Sequence, residues 1–157
     1  VIVQMDTYAV KGLKTGQIQF LYAPTHLNPT YEYGVTFERG TAVTYGDRKQ
    51  IFISGTASID NQGEIMYPGD ILKQTERMLE NIDTLLQEAG GGLQDIMQAI
   101  VYLRDPADYV VVKQYIESRY PSFLHLIVHA PVCRPGWLIE TECIAVIPAD
   151  APQYAYL

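Results

Sequence analysis

Seven side chains able to move protons, grip anions or ligate metals lie in the stretch from Phe123 to Ile147: His125, His129, Cys133, Arg134, Glu140, Glu142 and Cys143. The residues around them read as two strand-like runs, FLHLIVH and WLIETECIAVI, on either side of a turn at Pro135-Gly136. Alternate residues of a strand share a face, so His125 goes with His129, and Glu140 with Glu142. Folded as a hairpin, the two runs would line a pocket. Two carboxyls on one face suit general acid–base work, because each raises the pKa of the other by like-charge repulsion. His125, His129 and Cys133 follow one another at steps of four, a spacing that suits a mixed nitrogen and sulfur metal site, but Pro131 interrupts the run. No metal and no other cofactor is expected.

The elements that must position these groups are legible in order. Gln17–Tyr22 can form one strand, and APTHLNPTYEYG is irregular, so residues 1–34 read as an N-terminal arm. Val35–Tyr45 and Gln50–Ser54 form a hairpin through GDRK, and Asp60-Asn61-Gln62-Gly63 turns into a short strand at Glu64–Met66. After Pro68-Gly69-Asp70 the apolar residues fall at steps of three and four from Ile71 to Ala89, a helix capped by Asp70 and closed by Gly90. Met97–Arg104 is apolar enough for a strand covered on both faces. A second helix starts near Pro106 and stops before Pro121. The order implies an α+β fold, a mixed sheet with both helices on one face, over residues 35–150, with 151–157 as a tail. Such a sheet leaves its other face to be buried by self-association.

Composition narrows the function classes. A chain of 157 residues with 48% hydrophobic and 18% charged residues suits one globular domain with one core. A net charge of -7 and a pI near 4.8 argue against gripping a nucleic-acid backbone, and the longest basic cluster is Arg48-Lys49. Local arginines can still capture a small carboxylate. The chain shows no signal-like segment and no apolar run of membrane-spanning length. A cytoplasmic location with free thiols at Cys133 and Cys143 is therefore expected, and no membrane partner.

Four stretches, FISGTASID, QTERMLENIDTLLQEAG, IVYLRDPADYVVVKQYIESRYP and LIETECIAV, resemble the Rid/YjgF family, often labelled endoribonuclease L-PSP, along residues 35–148. The resemblance implies a chorismate-mutase-like fold and a homotrimer, a trimeric barrel with three clefts between subunits. In that family the deaminases carry an Arg fifteen residues ahead of a Glu in the last strand, where it holds the carboxylate of an imino acid. Counting back from Glu140 reaches His125, which lacks the bidentate fork of Arg. The family's Tyr near the first strand corresponds to Phe37. VCRPGWLIETECIAV, with Cys133 seven residues ahead of Glu140, is also similar to the C-terminal half of chorismatases, which release pyruvate from chorismate. Those enzymes have an additional N-terminal half, so the chain reads as a single-domain relative or a fragment.

The reading that follows is a metal-free, chorismatase-like hydrolase or lyase that releases pyruvate from chorismate or a related enolpyruvyl acid, with Glu140 as general acid. The resemblance gives Cys133 the role of tuning the approach of water or a hydroxyl. Arg104 and Arg134 are candidates for the substrate carboxylates, and Gly55 for backbone support of the cleft. The alternatives are a Rid-type imine or enamine deaminase and a non-catalytic trimer that binds small carboxylates. Ser54 and Thr56 lack the surroundings of an activated nucleophile.

Overall fold

The structure is a computed structural model that describes residues 5 and 7–156. Helix α1, Ile71–Glu88, forms where the periodicity places it. Asp70 accepts a hydrogen bond from the Lys73 amide at 3.0 Å, and Gly90 takes the positive φ that follows the last turn. Its buried stripe includes Met78, Leu79, Ile82, Leu85 and Leu86. Helix α2, Tyr109–Arg119, is entered through a 3-10 turn at Pro106–Asp108 and buries Val112 and Ile116.

Six strands form one sheet: β1 Ile18–Leu21, β2 Gly40–Thr44, β3 Arg48–Ala57, β4 Ile96–Leu103, β5 His125–His129 and β6 Ile139–Pro148, in the order β1-β2-β3-β6-β4-β5. All neighbours are antiparallel except β4 with β5. The expected mixed sheet with helices on one face is present. The expected hairpin of Phe123–Ile147 is not. Helix α2 carries the chain back along β4, so β5 starts at the same end as β4 and pairs with it in parallel. β6 then fills the gap between β3 and β4, leaving β5 and β6 on opposite edges of β4.

Register carries burial across the sheet. Gly40, Ile53, Cys143 and Ala99 form one row toward the helices, and Ala42, Ile51 and Ala145 the next. The other face carries Phe20, Phe52, Ile144, Ile100 and Tyr102, and Phe20 is 49% exposed. β4 is therefore covered by its own chain on one face only, where coverage on both was expected.

Three segments differ from their expected bounds. The strand expected at Gln17–Tyr22 forms as β1 over Ile18–Leu21 and pairs with β2. The strand expected over 35–45 is confined to Gly40–Thr44, because the Ser54 amide and hydroxyl donate to the carbonyls of Arg39 and Glu38, at 3.1 and 2.6 Å, and fix an irregular entry. The strand at Glu64–Met66 shrinks to a single bridge between Ile59 and Ile65. Among the described residues, no helix is long and apolar enough to cross a membrane.

α1 is tied to the end of β3 by Asn81, a buried side chain whose Nδ2 donates to the carbonyls of Ala57 and Ile59, both at 3.0 Å. Asn81→Ala strands both acceptors in the core, and a loss of about 1–3 kcal/mol in the urea-unfolding free energy is expected. An unchanged midpoint and slope would show that the link carries no stability.

Candidate active site on the open sheet face

The position of β6 between β3 and β4 sets its side chains in the middle of the sheet. Glu140 lies opposite Ala57 on one side and Tyr102 on the other, and Glu142 lies opposite Ile100. Both carboxyls share the open face, as period-two alternation predicts. Between Ile53 and Thr56 the β3–β6 register slips, so Ser54 and Gly55 sit in a bulge. A β-carbon at Gly55 would overlap Oε1 of Glu140. Residue 55 must be glycine for the carboxylate to lie across β3.

Glu140 is half-buried, and its pKa is raised, first by desolvation and then by the charge of Glu142. Tyr102 donates its hydroxyl hydrogen to Glu142 Oε1 at 2.8 Å. Burial, then this hydrogen bond and the two glutamate charges, push the Tyr102 pKa up to about 12, so it stays a donor across the neutral range. A cavity of about 690 Å³ runs over the same face, lined by Phe52, Ser54, Gln98, Ile100, Glu142 and Ile144. Glu140 lies two residues along β6 on that face and is not itself one of the lining residues. Tyr8 packs its ring on Phe52 with centroids 5.7 Å apart.

The remaining sequence candidates are dispersed. His125 is in register with Ala99, a buried residue of the helix side, so its ladder row is on the opposite face from Glu140. Its Nδ1 bonds with the Phe123 carbonyl at 2.8 Å. His129 is exposed at the end of the same edge strand. Cys133 is exposed in the loop between β5 and β6, and both cysteines are free thiols. Cys143 faces the core, and burial followed by Glu142 pushes its thiol up to about 12, which removes it from the reactive set. Among the described residues, no three His, Cys, Asp or Glu side chains converge as a metal site.

Arg104 is engaged with the backbone of its own chain. Nε donates to the Trp137 carbonyl at 2.7 Å, and Nη2 to those of Val132 and Arg134, both at 2.6 Å. The guanidinium clasps the β5–β6 loop. Arg134 lies over the Trp137 ring, 5.5 Å from its centroid, and lines a separate cavity with it. Phe37 packs near the buried Arg39 guanidinium, 5.6 Å from its ring centroid, on the segment bonded to Ser54. Tyr102, which the sequence reading left out, and Ser54, which it weighed only as a nucleophile, both lie beside the candidate site. Tyr102 had one signal, its place on the alternate positions of an apolar strand.

The comparisons with known proteins fit this architecture. The family description endoribonuclease L-PSP matches residues 40–147. The 3-aminoacrylate deaminase RutC of Acinetobacter baylyi is 31% identical over 97 residues, which are 60% of this chain and 77% of that protein. A RutC family protein of Pyrococcus abyssi is 35% identical over 97 residues, 60% and 76% of the two chains. Among solved structures, RidA of the Antarctic bacterium Psychrobacter sp. PAMC 21119 superposes with a TM-score of 0.67 at 24% identity over 82% of this chain and 99% of that one. Yeast Mmf1 gives 0.70 at 14% identity over 82% and 98%. At these identities the two structures speak for the fold.

Because desolvation is the larger cause of the Glu140 shift and Glu142 the smaller, Glu142→Gln should lower the Glu140 pKa without returning it to the ordinary carboxylate range. Carboxyl-carbon NMR titration of the two proteins measures this. A pKa that stays put or rises in the variant contradicts the charge coupling.

Proposed function

The chain belongs to the endoribonuclease L-PSP (Rid/YjgF) family, and we propose that it is a Rid-type deaminase, a hydrolase of short enamines or imines that carry a carboxylate. The observation that carries this reading is the Glu140 carboxyl, half-desolvated over Gly55 with a raised pKa. A relative named 3-aminoacrylate deaminase supports this chemistry over chorismate hydrolysis.

The reaction needs one group that gives a proton and then takes one. Protonated Glu140 delivers its proton to the enamine carbon, and the C=C–N unit becomes an iminium. The Glu140 carboxylate then removes a proton from water as the oxygen adds to the iminium carbon. Glu140 passes that proton to the nitrogen, the C–N bond breaks with loss of ammonia, and the hydroxyl proton returns to Glu140 as the carbonyl forms. A raised pKa suits both halves, since the acid form survives toward neutral pH and the base form is stronger than an ordinary carboxylate. Gly55 leaves the space in which the carboxyl works, and Tyr102 holds Glu142 beside it.

A homotrimer is the working assembly. The apolar open face of the sheet calls for cover, and clefts between subunits are favoured ligand sites. In that assembly the exposed edge of β5 borders a neighbouring subunit and brings His125, at the position of the family's Arg, toward a substrate carboxylate. Native mass spectrometry should show three 17.7 kDa chains, and a monomer at working concentration would remove this anchor.

Two variants test the chemistry with freshly generated 2- and 3-aminoacrylate and ammonia release as readout. Glu140→Gln should lower the rate by about 10²–10⁴-fold, the usual contribution of general acid–base catalysis. Its melting temperature should hold or rise, because a desolvated charge is removed. His125→Arg should raise kcat/KM at least roughly tenfold, since a charge-assisted hydrogen bond contributes about 1.5–3 kcal/mol. Ammonia release equal to that of buffer sinks the deaminase reading. Pyruvate formed from chorismate, and lost in Glu140→Gln, would favour the enolpyruvyl reading in its place.

A further inference from the structure

Another cavity, of about 440 Å³, opens on the segment that leads from β1 to β2. Its walls include Tyr22, Pro24, Pro29, Tyr31 and Glu38. Of the residues that line it only Asn61 lies within 40–147, so the cavity is built by what this chain adds to the matched family region. It shares no lining residue with the cavity over the open sheet face. The volume falls in the range of small-molecule sites, and apolar walls with a few polar groups are their usual composition.

The segment is held in one shape. Glu88, in the last turn of α1, accepts from the amides of Tyr22 and Ala23, both at 2.8 Å. Ala23 is fully buried at φ +47°, a left-handed conformation that an alanine adopts only under constraint. Its carbonyl accepts from the amides of His26 and Leu27 at 2.8 and 2.9 Å, and Leu27 is part of the core. The buried Arg39 donates from Nε and Nη2 to the Asn28 carbonyl at 3.2 and 3.0 Å, and from Nη2 to Asn28 Oδ1 at 3.0 Å. A 3-10 turn, Thr30–Tyr33, then carries Tyr31 and is closed by Gly34 in the left-handed region. The cavity floor is thereby anchored both to α1 and to the start of β2.

What a ligand meets on this floor is aromatic and negative. Tyr22 and Tyr31 are 56% and 77% exposed, and neither ring is engaged by another ring or a cation among the described residues. The Glu38 carboxylate is exposed and has no hydrogen bond or ion pair among the described residues. Arg39 lines the cavity too, but its guanidinium is buried and turned to the Asn28 oxygens, so that charge stays in the wall. Tyrosine rings attract cations, more strongly where the cation sheds water in a cavity, and a carboxylate adds to the attraction. The net charge of -7 works in the same direction over longer range. We propose that this cavity binds an organic ammonium ion, its charged head on Tyr22, Tyr31 and Glu38 and its apolar body against the exposed Pro24 and Pro29. The site is independent of the deaminase reading and does not require it.

Equilibrium dialysis of the intact protein against phenethylammonium reads bound ligand directly. Saturable binding is expected. The neutral counterpart 2-phenylethanol and the anionic 3-phenylpropionate should each need roughly tenfold higher concentration or more to compete. Tyr31→Ala and Glu38→Gln should each weaken binding about two- to fivefold, and together roughly tenfold. Both side chains are exposed, so the unliganded melting temperatures should match that of the parent protein. No saturable binding overturns the proposal. Competition by the alcohol or the carboxylate at the ammonium's own concentration does so as well, and the carboxylate result would put Arg39 in the role given to Glu38. Unchanged binding in the double variant equally overturns it, and loss in Glu142→Gln would then place the cation on the sheet face.

Discussion

The volume that a β-carbon would fill at residue 55 is occupied by a carboxylate oxygen of Glu140, and much of the molecule is arranged around that substitution of one group for another. The bulge at Ser54–Gly55 brings the backbone of β3 under the side chain of β6. The same bulge frees Ser54 to bond the carbonyls of Glu38 and Arg39, which is why β2 begins only at Gly40. Arg39 is thereby turned inward onto Asn28, and Asn28 in turn supports the Asp60–Glu64 turn. A local irregularity in one strand connects the acid on the sheet face to the architecture of a cavity outside it.

What was legible in the sequence is what depends on near neighbours. The α1 helix needs only its apolar steps, the Asp70 cap and Gly90, all within a few turns, and each appears as read. Glu140 and Glu142 share a face because strand alternation does not depend on which strand comes next. The hairpin expected for Phe123–Ile147 failed for the converse reason. Two runs adjacent in sequence lie on opposite edges of β4, and this is decided by the α2 crossover and by the free edge of β3. Side-chain type was similarly insufficient for the arginines. Arg104 has the chemistry to hold a carboxylate, and three loop carbonyls within its reach occupy its Nε and Nη2. Arg39 drew no notice and is the one that is buried, because its acceptors come from an irregular segment eleven residues away.

His125 shows how register limits an argument by position. Fifteen residues ahead of Glu140 it takes the place of the family's Arg, yet its ladder partner Ala99 faces the helices while Glu140 faces the open side. Within one chain the two cannot meet across the sheet. An edge strand can still present both of its faces to a neighbouring subunit, so under the proposed trimer the pairing of anchor and acid would belong to the assembly and not to the protomer. The free edge of β5, where Leu126 is 61% exposed, is consistent with such a border.

Two glutamates on one face need different surroundings if they are to do different work. Tyr102 supplies the difference. Its hydroxyl, with a pKa pushed up to about 12, is a permanent donor, and it points its hydrogen at Glu142 and not at Glu140. Glu142 is thus engaged as an acceptor, and its charge acts on a neighbour that is already drier. Glu140, raised by burial and by that charge, becomes the carboxyl that can hold a transferable proton toward neutral pH. Exchanging the two residues' environments would leave the sequence motif intact and move the raised pKa to the other glutamate, so which carboxyl is raised is decided by Gly55 on one side and Tyr102 on the other, and not by the glutamates themselves.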